Sequence, residues 1–255
     1  MAIPTTLCGI ILERTVLINR QLDMKKLLIA ILFLGIISCN FKANQNNTEG
    51  NLLATIDCTR TIDFGDIQIC LPEIDGMTEC LSEPIVSLYN KTIKSPDELT
   101  IALYLNDLTY ENRDAIFVMQ MDDFFKVFST EFFKNQKAGR KELELMAKQS
   151  SVGFVTVNWD EFKDQFKEML PHLSPDRPVI LENYSPHNDV RTIVQLWKYR
   201  TEYEEFVSVT IFNIMFIKSR LVFMAYANRY ENHGTISQTK AKNDYIIHRI
   251  VQANK

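Results

Sequence analysis

Ser185, His187 and Asp189 carry the functional groups of a nucleophile, a base and an orienting acid, and they alternate within one short stretch. Such groups normally come from separated segments, because three side chains must converge on one point. A loop this dense in Ser, Pro, Asn and Asp is better explained by turn chemistry. The four histidines, His172, His187, His233 and His248, follow no HExxH or other close ligand spacing. The expectation is therefore no catalytic residue, no metal ligand and no cofactor. Glu73, Asp75 and Glu79 make an acidic loop that lacks the length and spacing of a calcium loop, which predicts a solvated face. Only eight glycines occur and no glycine-rich phosphate loop exists, so the common modes of nucleotide binding are disfavoured. A net charge of −4 argues against a nucleic-acid partner. Asn213 and Asn243 fall at apolar positions and read either as satisfied structural hydrogen bonds or as ligand contacts. Cys58, Cys70 and Cys80 are odd in number, consistent with one disulfide and one free thiol in an oxidising compartment. The absence of a CxxC pair argues against redox catalysis.

A fourth cysteine has a different context. Met24-Lys25-Lys26 precedes an apolar run from Leu27 to Ile37, then Ser38-Cys39. Eleven apolar residues are too few to span a bilayer and fit the core of a signal peptide behind a basic start. Ile36-Ile37-Ser38-Cys39 resembles the bacterial lipobox, an apolar residue and a small one before cysteine. That resemblance implies that Cys39 becomes the mature amino terminus and is the site of lipid attachment. The competing reading is an ordinary secretory signal with an incidental cysteine. Residues 1–38 are thus expected to be a signal peptide, with Met24 as its start. Residues 39–55, polar and rich in Asn, read as a lipidated flexible tether. Residues 56–255 are expected to form one domain.

The elements that position the rest follow from hydrophobic periodicity. The stretch from Val179 to Asn228 reads as four consecutive strands with short connections, hence an antiparallel meander. Its third run, Phe206 to Ile217, is apolar on both faces, which demands a layer above and a layer below. Phe206, Ser208, Thr210, Phe212, Ile214 and Phe216 share one face, and Val207, Val209, Ile211, Asn213, Met215 and Ile217 the other. Lys218-Ser219 allows a tight return into the last strand. Upstream, Ile67 to Leu71 and Leu99 to Leu105 read as strands, Glu73 to Glu83 as irregular, and Pro84 to Tyr89 as a short helix. Asp122-Asp123 followed by Phe124, Phe125, Phe128 and Phe132 predicts a helix with an aromatic stripe. A second short helix is expected over Lys141 to Lys148. A third begins at Asn158, with Glu161 at capping-box spacing, a stripe of Trp159, Phe162, Phe166, Met169 and Leu170, and Pro171 as its stop. A closing helix follows Gly234, with Thr235 as cap and Ile236, Ile246, Ile247 and Ile250 buried.

The predicted fold class is α+β, a largely antiparallel sheet with a C-terminal four-strand meander and helices on both faces, an α/β/α sandwich. The order of elements over residues 62–252 resembles the PsbP-like family and the DcrB-like bacterial lipoproteins, and is similar to lipoproteins of Bacteroidetes. PsbP-like domains are usually non-catalytic, so the resemblance implies a binding or assembly role. The expected partners are the membrane, through the acylated Cys39 that the lipobox implies, and an envelope protein. It carries over no functional residue. The alternative expectation is an envelope hydrolase whose site assembles from residues that cannot be paired by sequence. The expected location is the periplasmic face of the outer membrane.

Overall fold

The computed structural model describes residues 58–95, 97–116, 123–170 and 172–255. Residues 1–57, which include the expected signal peptide, Cys39 and the expected tether, lie outside the described residues, as do Asp122, Pro171 and the side chain of Met169.

The strands are β1 (Cys58–Phe64), β2 (Ile67–Pro72), β3 (Met77–Glu79), β4 (Glu98–Asn106), β5 (Phe124–Thr130), β6 (Ser174–Pro175), β7 (Val179–Tyr184), β8 (Val190–Arg200), β9 (Glu205–Ile217) and β10 (Arg220–Arg229). The helices are α1 (Pro84–Ile93), α2 (Asp107–Glu111), α3 (Glu131–Asn135), α4 (Arg140–Thr156), α5 (Trp159–Met169) and α6 (His233–Ala253). β1 and β2 form a two-stranded hairpin. The main sheet has eight strands in the order β3-β4-β5-β10-β9-β8-β6, with β7 also on β8. Every pairing is antiparallel. The expected meander is present as β7 to β10, and the fold is α+β.

β9 is buried on both faces for the reason its sequence gives. Phe212 and Ile214 face a cluster with Phe128, Phe223, Leu143, Phe162 and Phe166, which α4 and α5 complete. Phe212 stacks on Phe223 at 5.8 Å between centroids. Met215 and Ile217 face the opposite cluster, built with Ile246, Ile247 and Ile250 of α6 and with Phe64, Ile69 and Leu71 of the hairpin. A third cluster packs Val86, Tyr89 and Ile93 of α1 on Leu103, Leu105 and Phe124. The β9–β10 turn places Lys218 and Ser219 at φ 45° and 66°, the left-handed pair a two-residue hairpin needs.

Several expectations need correction. Phe124 to Phe128 is strand β5, not a helix, and only Phe132 falls in a helix, the short α3. A spacing of four puts side chains on one side in a strand as well as in a helix, so the aromatic spacing did not discriminate. Pairing with β4 and β10 decides it. Glu73 to Glu83 is not wholly irregular, since it contains β3. α1 continues to Ile93, and α4 continues to Thr156. In α4, the hydroxyls of Ser151 and Thr156 donate to the carbonyls of Ala147 and Val152, so these helix-weakening residues are accommodated inside the helix. Asn158 occupies the N-cap of α5 without a side-chain cap bond. α6 is capped by Asn232, whose Oδ1 accepts from Gly234 N–H at 2.8 Å. Thr235 accepts from the backbone of Glu231 and Asn232.

Candidate functional site

The corner where α5, β6 and the β8–β9 turn meet gathers groups that could meet a ligand or partner. An open cleft of about 430 Å³ lies between one side of α5 and the β6 segment. Asp160, Lys163, Asp164 and Lys167 line it from the helix, since positions three and four apart share a helical face. His172, Leu173, Ser174, Pro175, Arg200, Thr201 and Glu202 line it from the sheet side. Several charges are already committed. Lys163 pairs with Asp160 at 3.0 Å, and Arg200 pairs with Asp176 and Glu205 at 2.6 and 2.9 Å.

Behind the cleft, the other side of α5 rests on aromatic rings. Phe166 stacks on Tyr199 at 6.5 Å, Trp159 lies 6.2 Å from Trp197, and Tyr199 lies 5.3 Å from Phe206. Trp197 Nε1 donates to Gln195 Oε1 at 2.8 Å. The Gln195 Nε2, Tyr199 hydroxyl and Thr210 hydroxyl of β8 and β9 are buried without a hydrogen-bond partner among the described residues. Burial pushes the Tyr199 phenol well above its usual pKa. Away from the cleft, on the sheet edge, Val179 and Leu181 of β7 are exposed by 59% and 41%, and Tyr203 of the β8–β9 turn is exposed by 93%. Apolar side chains concentrated along an open strand edge are the usual mark of a docking surface.

The residues singled out from sequence are placed elsewhere. His187 Nδ1 accepts from the backbone N–H of Asp189 at 3.2 Å, and Asp189 is engaged by Arg140 at 3.2 Å. This is a turn closed on itself, with the carboxylate held by a guanidinium. Asn213 and Asn243 meet. Asn213 Nδ2 donates to Asn243 Oδ1 at 2.7 Å, and Thr192 donates to Asn213 Oδ1 at 2.7 Å. Asn243 Nδ2 reaches Asp244, which also accepts from the Tyr184 hydroxyl at 2.6 Å. The acidic loop is not a uniformly solvated face. Tyr245 donates to Asp75 at 2.9 Å and Arg249 to the carbonyl of Glu73. Glu79 is buried beside Arg60 at 2.8 Å. Burial raises the Glu79 carboxyl above its usual range, with Arg60 opposing. Among the described residues, no group of three or more His, Cys, Asp or Glu side chains is placed to hold a metal ion.

Cys58 and Cys70 form a disulfide that ties the start of β1 to β2. Cys80 is a buried free thiol, pushed up to about 12 by burial and by the neighbouring Glu79.

One buried charge pair escaped the sequence reading. Lys126 of β5 and Glu98 of β4 lie 2.6 Å apart, both essentially inaccessible. Thr100 donates to the same Glu98 oxygen at 2.6 Å, and Asn90 of α1 donates to Thr100 at 3.0 Å. Burial lowers the Lys126 pKa, and Glu98 opposes that shift. A lysine inside the run Phe124-Phe125-Lys126-Val127-Phe128 was the available signal, since a strand buried on both faces has no solvent side for a charge.

Neither a known family model nor a curated protein sequence matches this chain.

Proposed function

We propose that this chain is a lipid-anchored protein of the bacterial cell envelope, held by an acylated Cys39, whose domain is a non-catalytic binding or assembly module. The observation that carries the reading is the Cys58–Cys70 disulfide. Disulfides persist in oxidising compartments such as the envelope, and the lipobox-like Ile36 to Cys39 is a signal for delivery there. The exposed apolar edge at Val179 and Leu181 supports a docking role for the domain. Asn40, with no acidic cluster directly after it, favours the periplasmic leaflet of the outer membrane.

Membrane fractionation of Cys39→Ser tests the anchor. One acyl chain binds only marginally, whereas two or more hold a protein firmly. The expected result is loss of labelled palmitate and release into the soluble fraction. Retention of the Ser variant on salt-washed membranes counts against the anchor.

A second reading, an envelope hydrolase, draws on the cleft that holds His172, Ser174 and Asp164. A fluorophosphonate probe separates the two. Labelling that disappears in Ser174→Ala supports the hydrolase, and an unlabelled chain supports the binding module.

A further inference from the structure

The hairpin strand β1 is held unevenly along its length. It pairs with β2 and with no other described strand. Its inner end is seated by Phe64, buried in the cluster beneath the hairpin. From Cys58 to Asp63, Arg60 and Ile62 are half-buried and the rest are exposed. The ladder is weakest at the outer end. Cys58 lies opposite Pro72, and the register is irregular between Cys58 and Arg60. Proline brings no N–H to such a ladder. Two fastenings hold this end. One is the Cys58–Cys70 disulfide. The other is Arg60, which donates to Glu79 Oε1 at 2.8 Å and to the Ile101 carbonyl of β4 at 3.2 Å.

β2 is secured without the disulfide. Ile69 and Leu71 are fully buried, and Asn254 at the end of α6 bonds both the N–H and the carbonyl of Cys70. The two ends of the bridge therefore differ, since Cys58 is exposed and Cys70 is buried. We propose that the Cys58–Cys70 disulfide is a redox-sensitive fastening, cut at Cys58 by a dithiol reductant, so that β1 opens from its outer end while β2 and the rest of the domain stay folded. A thiolate of the reductant attacks the Cys58 sulfur, the bond to Cys70 breaks, and the Cys70 thiolate takes up a proton. The reductant's second thiol then displaces Cys58, which is protonated in turn, and closes the reductant's own disulfide. Two electrons and two protons pass to this chain. In a chain anchored at Cys39, which rests on the lipid-anchor reading, each residue freed adds up to about 3.5 Å of chain between lipid and domain.

The opening is tested on the purified full chain, so the outcome is independent of the anchor. Dithiothreitol is added in native buffer, and mass spectrometry reads the thiols of Cys58 and Cys70 together with amide hydrogen exchange along the chain. The expected result is that both thiols appear and that exchange over Cys58 to Phe64 accelerates about ten- to a hundredfold, the scale of the loop-closure constraint removed. Exchange in β2 and α6 is expected to stay unchanged. Cys58→Ser is expected to show the same fast segment without reductant. Arg60→Ala is expected to keep its protection while oxidised and to lose it on reduction. A bond that is reduced only in denaturant overturns the proposal. So does a reduced chain in which β1 keeps its protection, or one in which β2 and α6 lose theirs as well. Loss of protection in oxidised Arg60→Ala places the hold on Arg60 and overturns it too.

Discussion

Asn254 grips the peptide of Cys70 from both sides. Cys70 N–H donates to Asn254 Oδ1 at 2.8 Å, and Asn254 Nδ2 donates to the Cys70 carbonyl at 2.8 Å. The same Nδ2 also donates to the Ile250 carbonyl at 2.9 Å. The end of α6 thereby holds the strand to which the disulfide pins Cys58. Asn254→Ala leaves two buried backbone groups unpaired, each costing about 1–3 kcal/mol. Asn254→Asp keeps the acceptor but turns an oxygen toward the Cys70 carbonyl, so it is expected to be at least as damaging. Thermal denaturation compares the two, and an Asp variant as stable as the native chain removes the donor from the account.

Lys126 and Glu98 form a pair that is costly to break and dispensable as a unit. Lys126→Met alone strands a buried carboxylate, and removal of one partner from such a pair typically costs about 3–5 kcal/mol. Lys126→Met with Glu98→Gln removes both charges and leaves an amide oxygen for Thr100. The double variant is expected to recover most of the loss in chemical denaturation. A double variant no more stable than the single one would show that the charges are needed together.

Glu79 gives stability a pH dependence with a defined sign. Its folded pKa is raised by burial, so its contribution is fully present below the unfolded value, near 4.3, and is lost as pH rises through the folded value. The native chain therefore loses stability, from this residue, as pH rises from about 4 toward neutrality. Glu79→Gln removes the titration and still accepts from Arg60. The melting temperature of Glu79→Gln relative to the native chain is expected to increase over that range, and a difference independent of pH would contradict the assignment.

Phe212 sits at 0% exposure between Phe223 and Phe128, with centroids at 5.8 and 6.4 Å. Phe212→Ala is expected to cost about 3–5 kcal/mol through lost transfer energy and the cavity left behind. That is a large fraction of a typical domain's stability. Equilibrium unfolding in urea measures it, with an unchanged slope marking an intact two-state transition.

The chain's own pattern determined the meander. β9 carries apolar residues on both faces, and the Lys218-Ser219 turn leaves its neighbour one way to return. The final helix was legible for the same reason, because Ile246, Ile247 and Ile250 recur at helical spacing. Tertiary contacts decided β5, where Phe124, Phe128 and Phe132 fit either period until β4 and β10 supplied hydrogen-bond partners. They also decided which cysteines pair, since the pairing of β1 on β2, with Cys58 opposite Pro72 and an irregularity before Arg60, leaves the Cα atoms of Cys58 and Cys70 5.3 Å apart. The buried environment of Lys126, the grip of Asn254 on Cys70 and the exposure of Val179 on an open edge are relations between segments far apart in the chain. Local propensity acts over a few residues, whereas burial and pairing depend on what the fold places alongside.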